Sequence, residues 1–446
     1  MISQPTTALR GDVLRPEDPD YDAARAVFNA MIDRKPLAIL RCRRAADVAH
    51  GITFAREHDL ALSVRGGGHN VAGNAVCDGG IMLDLSPMKD VQVNLDRLRA
   101  RAGPGLLLGN LDRATQQHGL AVPLGVMSKT GIAGLTLGGG LGWLNGRYGL
   151  ACDNLVGAEV VTADGDVLHV SEDEHADLLW GLRGGGGNFG VVTSFTYQLH
   201  PVGPMLAGGL TYPWAMAADA LRFHHQFMAG APDELVTAVS IALDPSGAPQ
   251  LTISVCWSGH PDEGLSVLRP LRAFGSPMHD TIAPMPYLAL QSAPDAGFPL
   301  GQMHYWKSGY LRHLTDAATD TLLEIASAMP PGSSGIGMQS LRGAASRVAV
   351  DATAFPHRAT QYDFLILAQW ADHDHSERNI AWARDSFTTM QPHLEHAVYV
   401  NNLGTEGPDR IRAAYGPNHH KLAELKRRYD PTNTFRLNQN IAPISP

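Results

Sequence analysis

The tightest constraint on this chain is a run of glycines that ends in a nucleophile. Gly66-Gly67-Gly68 follow Val64-Arg65 and lead into His69-Asn70. Without Cβ atoms, the backbone N–H groups of such a turn can approach an anionic ligand closely, and Arg65 places a permanent positive charge beside them. The residues before it, Ala61-Leu62-Ser63-Val64, form a short apolar run, so the turn is expected to leave the end of a strand. A second nucleophile has a similar setting: Cys152, in Gly146-Arg147-Tyr148-Gly149-Leu150-Ala151-Cys152-Asp153-Asn154. The thiolate is the reactive form of cysteine, and Arg147 would favour it were the turn to fold back.

Other nucleotide signatures fail on context. Gly185-x-Gly187-x-x-Gly190 matches the dinucleotide fingerprint in letters, but Asp177 to Leu182 before it reads as helix and Val191 to Tyr197 after it as strand. That motif needs the reverse order. No Gly-x-x-x-x-Gly-Lys-Ser/Thr loop occurs. No metal site is expected either, because His224-His225, His373-Asp374-His375 and His419-His420 suit solvated helix ends or loops better than a tetrahedral centre.

At 446 residues the chain should hold two lobes with separate cores. Lys+Arg 35 against Asp+Glu 44 gives a net charge of −9 with no basic block, which disfavours nucleic acid and points to small-molecule partners. The start, Met1-Ile2-Ser3-Gln4-Pro5, has no secretory pattern and no run is long enough to span a membrane, so a cytoplasmic location is the default expectation. Four cysteines are too few for a disulfide scaffold, and Cys42, Cys77 and Cys256 read as ordinary semi-buried residues.

Residues 1 to about 205 alternate short apolar runs with helical patterns. Ala45 to His58 has helical spacing, Ile81 to Leu85 reads as a strand, and Asp164-Gly165 makes a hairpin turn between Glu159–Ala163 and Asp166–Val170. From 206 to 398 the texture becomes antiparallel sheet with helices. Leu251, Ile253, Val255 and Trp257 alternate with Thr252, Ser254 and Cys256, and Tyr362 to Trp370 is a more buried strand of the same kind.

The glycine loops belong to an ordered series. Pro36 to Cys42 comes first, then the His69 loop, Gly79 to Ser86, Gly131-Ile132-Ala133-Gly134 through Gly142, the Cys152 segment, Leu178 through Gly190, and a tail, Tyr429-Asp430-Pro431-Thr432-Asn433 to Ile441. In this order the motifs resemble the berberine bridge enzyme-like branch of the vanillyl-alcohol oxidase flavoproteins. The resemblance implies an α+β fold: a two-lobed PCMH-type FAD-binding domain over 1–205, an antiparallel-sheet substrate domain with flanking helices over 206–398, and a segment over 399–446 that returns to the FAD domain. It also implies bicovalent FAD, joined through its 8α-methyl to His69 and through C6 to Cys152. Flavin contacts are then expected at Arg65, Gly66, Gly67, Gly68, Asn70 and Gly73, with Arg65 steadying the diphosphate. Further contacts fall on Gly131, Gly134, Gly138, Gly139 and Gly142, on Tyr148, Gly149 and Asn154, and on Gly190, Val191, Asn438 and Asn440.

The reaction implied is oxidation of an alcohol or amine carbon in a sugar or secondary metabolite, by hydride transfer to flavin N5, with O2 reoxidising the flavin to give H2O2. The alternatives are a dehydrogenase of the same fold with another electron acceptor, and a flavoprotein that sequesters a small molecule with little turnover. In some relatives the residue three after the Cys controls oxygen access, Val favouring and Leu hindering it; here it is Leu155.

The base departs from the family pattern. Many relatives carry Tyr-x-Asn-Tyr before the tail, whereas this chain reads Tyr399-Val400-Asn401-Asn402, and asparagine cannot abstract a proton. Where some relatives place a carboxylate, this chain has Arg347. Tyr305, Tyr310 and Tyr362 are therefore the candidate bases, with Arg347 as the cation that would lower a phenol's ordinary value of about 10. Trp306, Asn402 and Gln369 are expected to meet substrate, with Tyr305 and Tyr310 beside Trp306 in an aromatic lining.

Overall fold

The computed structural model describes residues 9–444, organised by three large sheets and a two-stranded pairing of Leu120–Ala121 with His200–Pro201. β1 (Ala38–Arg41), β2 (Leu62–Arg65) and β3 (Ile81–Asp84) run parallel with β3 in the centre, and the two-residue strand Val13–Leu14 pairs antiparallel with β1. All four residues of β3 are buried, as expected for a parallel strand covered on both faces. Helix α1 (Ala45–Glu57) covers this sheet through Val48, Ile52 and Ala55.

β4 (Val91–Asn94), β5 (Arg99–Ala102), β6 (Leu155–Val161), β7 (Val167–Ser171) and β8 (Val191–Gln198) form an antiparallel sheet in the order β4-β5-β8-β6-β7. Asp164-Gly165 turns β6 into β7, with Gly165 at φ +89°. Helix α2 (Ala176–Leu182) precedes β8, so Gly184 to Gly190 runs from helix to strand, which explains why that run is no dinucleotide fingerprint. Leu155 is fully buried at the head of β6, inside this lobe's core.

The third sheet is antiparallel and eight-stranded. Its long members are β9 (Met205–Tyr212), β10 (Leu235–Leu243), β11 (Pro249–Trp257), β12 (Met303–Leu311), β13 (Gly335–Leu341) and β14 (Gln361–Trp370), in the order β9-β11-β10-β13-β14-β12. Two short strands, His279–Asp280 and Ala283–Met285, pair with the outer edge of β9. Period-two alternation decides what each face does. Tyr362, Phe364, Ile366, Ala368 and Trp370 of β14 pack into a core with helices α3 (Ala217–Ala229), α4 (Pro261–Ala273), α5 (Asp316–Ser327) and α6 (Ser376–Met390). Asp363, Leu365 and Leu367 point the other way, into a cavity. His224, on α3, is fully buried with its Nε2 2.9 Å from Thr237 Oγ1, and so is not at a solvated helix end.

The tail crosses back. Helices α7 (Pro408–Tyr415) and α8 (His419–Tyr429) send Tyr415, Leu422 and Leu425 into the core shared by Leu178, Leu182 and Phe189. Beneath them Lys426 and Asp430 form a fully buried ion pair at 2.6 Å. Among the described residues, no helix is long and apolar enough to cross a membrane.

Candidate active site

A cavity of about 670 Å³ lies between the glycine loops and the free face of the large sheet. Its glycine wall is built by backbone contact. A Cβ on Gly67 would lie 2.5 Å from the Gly131 Cα, and one on Gly131 would lie 2.6 Å from the Gly67 Cα, so neither position admits another residue. Gly66, Gly67, Gly68, His69 and Asn70 line this wall with Gly131, Gly134, Gly138, Gly190, Val191 and Asn438. Eleven of the expected flavin contacts therefore meet in one place.

The others do not. Gly73 packs against Ile32, and a Cβ on Gly142 would strike the Leu124 carbonyl at 2.0 Å. Gly139 lies against Phe355, and Asn440 stands outside the lining. Tyr148, Gly149 and Asn154 form a turn behind the wall: the Tyr148 ring stacks on His200 at 4.2 Å, and Asn154 Nδ2 donates to the Tyr148 and Leu150 carbonyls. Arg65 is also directed away. As the last residue of β2 it sits opposite Asp84 of β3, and its guanidinium pairs with that carboxylate at 2.9 Å and donates to the Ala26 carbonyl. Among the described residues, no Lys or Arg lines the cavity, so a bound pyrophosphate would be met by backbone N–H groups instead of a cation.

His69 is held as a neutral base. Burial pushes its imidazole down to about 4, so a ring nitrogen lone pair is free at neutral pH. Its Nε2 lies 3.4 Å from Met127 Sδ, and its ring stacks on Phe28, which stacks in turn on His304. The His304 ring nitrogens are buried and have no hydrogen-bond partner.

Cys152 is not in this site. It is fully buried between Leu141, Leu150, Tyr310, Phe355 and Tyr399 and is absent from the cavity lining. Burial, reinforced by the adjacent Asp153, holds its thiol well above the ordinary value. The nearby cation is Arg358, which is committed to Asp153 through bonds of 2.7 and 2.8 Å. Arg147 points elsewhere, donating to the Ser258 carbonyl.

On the sheet side the titratable group facing the cavity is one that no sequence motif marks. Asp363 lines the cavity and is the sole carboxylate among the described lining residues. Burial raises its carboxyl to about 7, against the opposing hydrogen bonds from Asn402 and Ser308. Asn402 Nδ2 donates to Oδ2 at 2.8 Å and Ser308 Oγ donates to Oδ1 at 3.3 Å. The signal was present as an aspartate within the apolar run Tyr362-Asp363-Phe364-Leu365-Ile366.

None of the three tyrosines lines the cavity. Tyr305 and Tyr362 project from the opposite face of the sheet into the helix-side core, where Tyr362 Oη lies 3.2 Å from His225 Nδ1. Tyr310 is fully buried beside Cys152, and burial drives its phenol far above the ordinary value. Arg347 is largely exposed and bound to Asp233 at 2.5 Å, away from all three. Trp306 and Asn402 do line the cavity, whereas Gln369 lies outside it, donating to the Gly297 carbonyl. Tyr399 serves the wall, its hydroxyl accepting the N–H of Gly140 at 2.8 Å.

An extended flavin dinucleotide fits these residues. Gly134 has nothing within 4 Å of a would-be Cβ, and Asn438 Oδ1 is a buried acceptor without a partner. Comparison with known proteins agrees. Residues 36–171 match the family model described as FAD binding domain, and 398–442 match the one described as Berberine and berberine like. A FAD-linked oxidoreductase of Dictyostelium discoideum is 31% identical over 450 residues, covering 100% of this chain and 97% of that protein. (R)-6-hydroxynicotine oxidase of Paenarthrobacter nicotinovorans is 32% identical over 459 residues, covering 98% and 97%. The crystal structure of 6-hydroxy-D-nicotine oxidase from Arthrobacter nicotinovorans superposes with a TM-score of 0.91 at 31% identity, covering 100% of both chains.

Proposed function

This chain belongs to the FAD-linked oxidoreductases with a berberine-like C-terminal segment, and from that premise we propose that it oxidises the carbon bearing an amine or hydroxyl group in an apolar small molecule, with Asp363 taking the proton. The observation that carries this reading is the presence of a buried, proton-accepting carboxyl and a neutral histidine in one cavity. When bound, FAD supplies the two-electron acceptor. The glycine wall holds it, and His69 is the residue for a single covalent link. A second link at Cys152 is dropped from this reading, because a thiol sealed behind Tyr399 and Phe355 has neither access nor a thiolate.

Asp363 acts on the substrate. A carboxyl poised near neutrality can accept a proton and release it to solvent afterwards. An ammonium substrate gives its proton to Asp363 and leaves the free amine, the form that can be oxidised; a hydroxyl substrate loses its O–H proton to the same oxygen. Asn402 and Ser308 fix the carboxyl's orientation through their hydrogen bonds. Sequestration without turnover loses its support once a base is present. Dioxygen as the second substrate, giving H2O2, is supported by the oxidase among the relatives.

The reading is tested by anaerobic mixing of the purified yellow protein with a panel of amines and alcohols, followed by admission of air. Bleaching by at least one donor and H2O2 release on aeration are expected. Protein that purifies without FAD, or flavin that no donor reduces, would overturn it.

A further inference from the structure

The floor of the cavity can be read row by row, because β10, β13, β14 and β12 are paired in register. Gln339 lies opposite Asp363, so the base and an amide share one row. In the next row Gly337 lies between Ser240 and Leu365, and in the third Gly335 lies between Ala242 and Leu367. Gly337 is in the interior of a four-strand platform, Gly335 opens β13, and neither has a positive φ. Their backbone does not need glycine.

Glycine in a strand interior costs about 0.5–1 kcal/mol relative to alanine, and in a strand whose pairing has no register shift it marks a close approach of a ligand or another backbone. A Cβ on Gly337 would meet nothing within 4 Å, and one on Gly335 would stand 3.2 Å from the Ile241 carbonyl. Their neighbours Ile336 and Met338 fill the helix-side core, so the two faces of β13 differ sharply. The missing side chains open space on the cavity side alone. Successive same-face residues on a strand are about 6.6 Å apart, so two glycine rows clear a flat strip about the length of a fused aromatic ring pair.

The border of this strip also points to a ligand. Trp306, beside Leu367, walls one edge, and its indole nitrogen and the Gln339 amide nitrogen are buried donors without a protein partner. Asp363 stands at the end of the strip, and the described lining holds no Lys or Arg to receive an anionic substituent. Four observations thus coincide: a slot, an aromatic wall, unpartnered donors and a lone carboxylate.

We propose that Gly335 and Gly337 form the substrate's specificity subsite, a slot for a planar aromatic ring whose amine- or hydroxyl-bearing carbon is directed to Asp363, and that carboxylated or phosphorylated substrates are rejected. This rests on the reading above, of which it names the substrate class.

The test uses FAD-loaded protein and ligands that cannot be oxidised, followed by perturbation of flavin absorbance. Naphthalene-2-carboxamidine is planar and cationic, hexanamidine is flexible and cationic, and 2-naphthoate is planar and anionic. Wild-type protein should bind the planar amidine about tenfold or more tightly than either other ligand, and Gly337→Val should weaken that ligand by roughly 10- to 200-fold, the range by which small changes in pocket filling discriminate ligands. Hexanamidine binding and flavin content should hold steady. Should the valine variant not fold, Gly337→Ala keeps the ranking with a smaller loss. Equal binding of the two amidines by wild-type protein, no binding of either, or unchanged planar-ligand binding by the folded variants would overturn the slot. Each of these results would leave the oxidoreductase reading standing, which fails by loss of FAD or of donor bleaching.

Discussion

The His69 imidazole lies flat on the Phe28 ring, with centroids 4.0 Å apart and planes 14° from parallel. On its far side Phe28 stacks on His304 at 4.2 Å, and the Phe28 N–H donates to the Gly68 carbonyl. Asn29 extends the clamp by bonding the His304 backbone through both ends of its amide. The imidazole is thus fixed from the sheet side as well as by its own loop. An aromatic stack contributes about 0.5–1.5 kcal/mol beyond its buried area, enough to set a ring's orientation. Phe28→Leu should therefore lower the acid-stable fraction of flavin, read by fluorescence after denaturing electrophoresis, while total FAD changes little; Phe28→Tyr should restore it. An equal fall in total and covalent FAD would make Phe28 a general packing residue.

Cys152→Ala should leave flavin as firmly attached as before, whereas His69→Ala should release all of it on acid precipitation. The same burial predicts that Cys152 in native protein resists thiol reagents, since it is unexposed and its thiol is held protonated. Release of flavin from Cys152→Ala would restore the two-link expectation.

The fate of Cys152 shows where local reading ended. Its glycine-rich neighbourhood correctly marks a turn, but the direction of that turn depends on Tyr399, some 250 residues away in the chain, whose hydroxyl holds Gly140 and Leu141. Arg65 is likewise directed by a distant contact: next to the glycine turn, it is paired in register with Asp84 on the neighbouring strand. The glycine wall itself was legible because a missing Cβ is a property of the residue. The alternating strand Tyr362 to Trp370 was legible too, and Asp363 within it was the unread signal. That it shares a row with Gln339 depends on strand pairing, which residue patterns do not encode. For Met127 against His69 no residue pattern offers a clue.

Asp363→Asn should slow flavin reduction by about 10²- to 10⁴-fold, the usual loss for a general base. The sign of the pH dependence follows from the ionisation required. Asp363 must be deprotonated to accept a proton, and its carboxyl titrates at about 7, so wild-type reduction should rise with pH across pH 6 to 8 and level off above. Asp363→Asn should lose that rise. Tyr305→Phe, Tyr310→Phe, Tyr362→Phe and Arg347→Ala should all stay near wild-type rates, and a flat wild-type profile would remove Asp363 from the role.

The tail's hold on the site depends on Lys426. Its ammonium donates to Asp430 at 2.6 Å and to the Asn188 and Phe435 carbonyls, and Asp430 in turn accepts the N–H groups of Thr434 and Phe435. Both side chains have no solvent exposure, so removing one leaves the other charge buried and unpaired. Breaking such a pair costs about 3–5 kcal/mol, while neutralising both members costs far less. Lys426→Met should thus be strongly destabilising in urea unfolding, and adding Asp430→Asn should recover part of the loss because no net charge stays buried. The segment this pair secures continues through Phe435 to Asn438 and Gln439, which line the cavity. Lys426→Met should consequently retain less FAD than Lys426→Met/Asp430→Asn, and a double variant no more stable than the single one would show that the backbone bonds of Asp430 outweigh its charge.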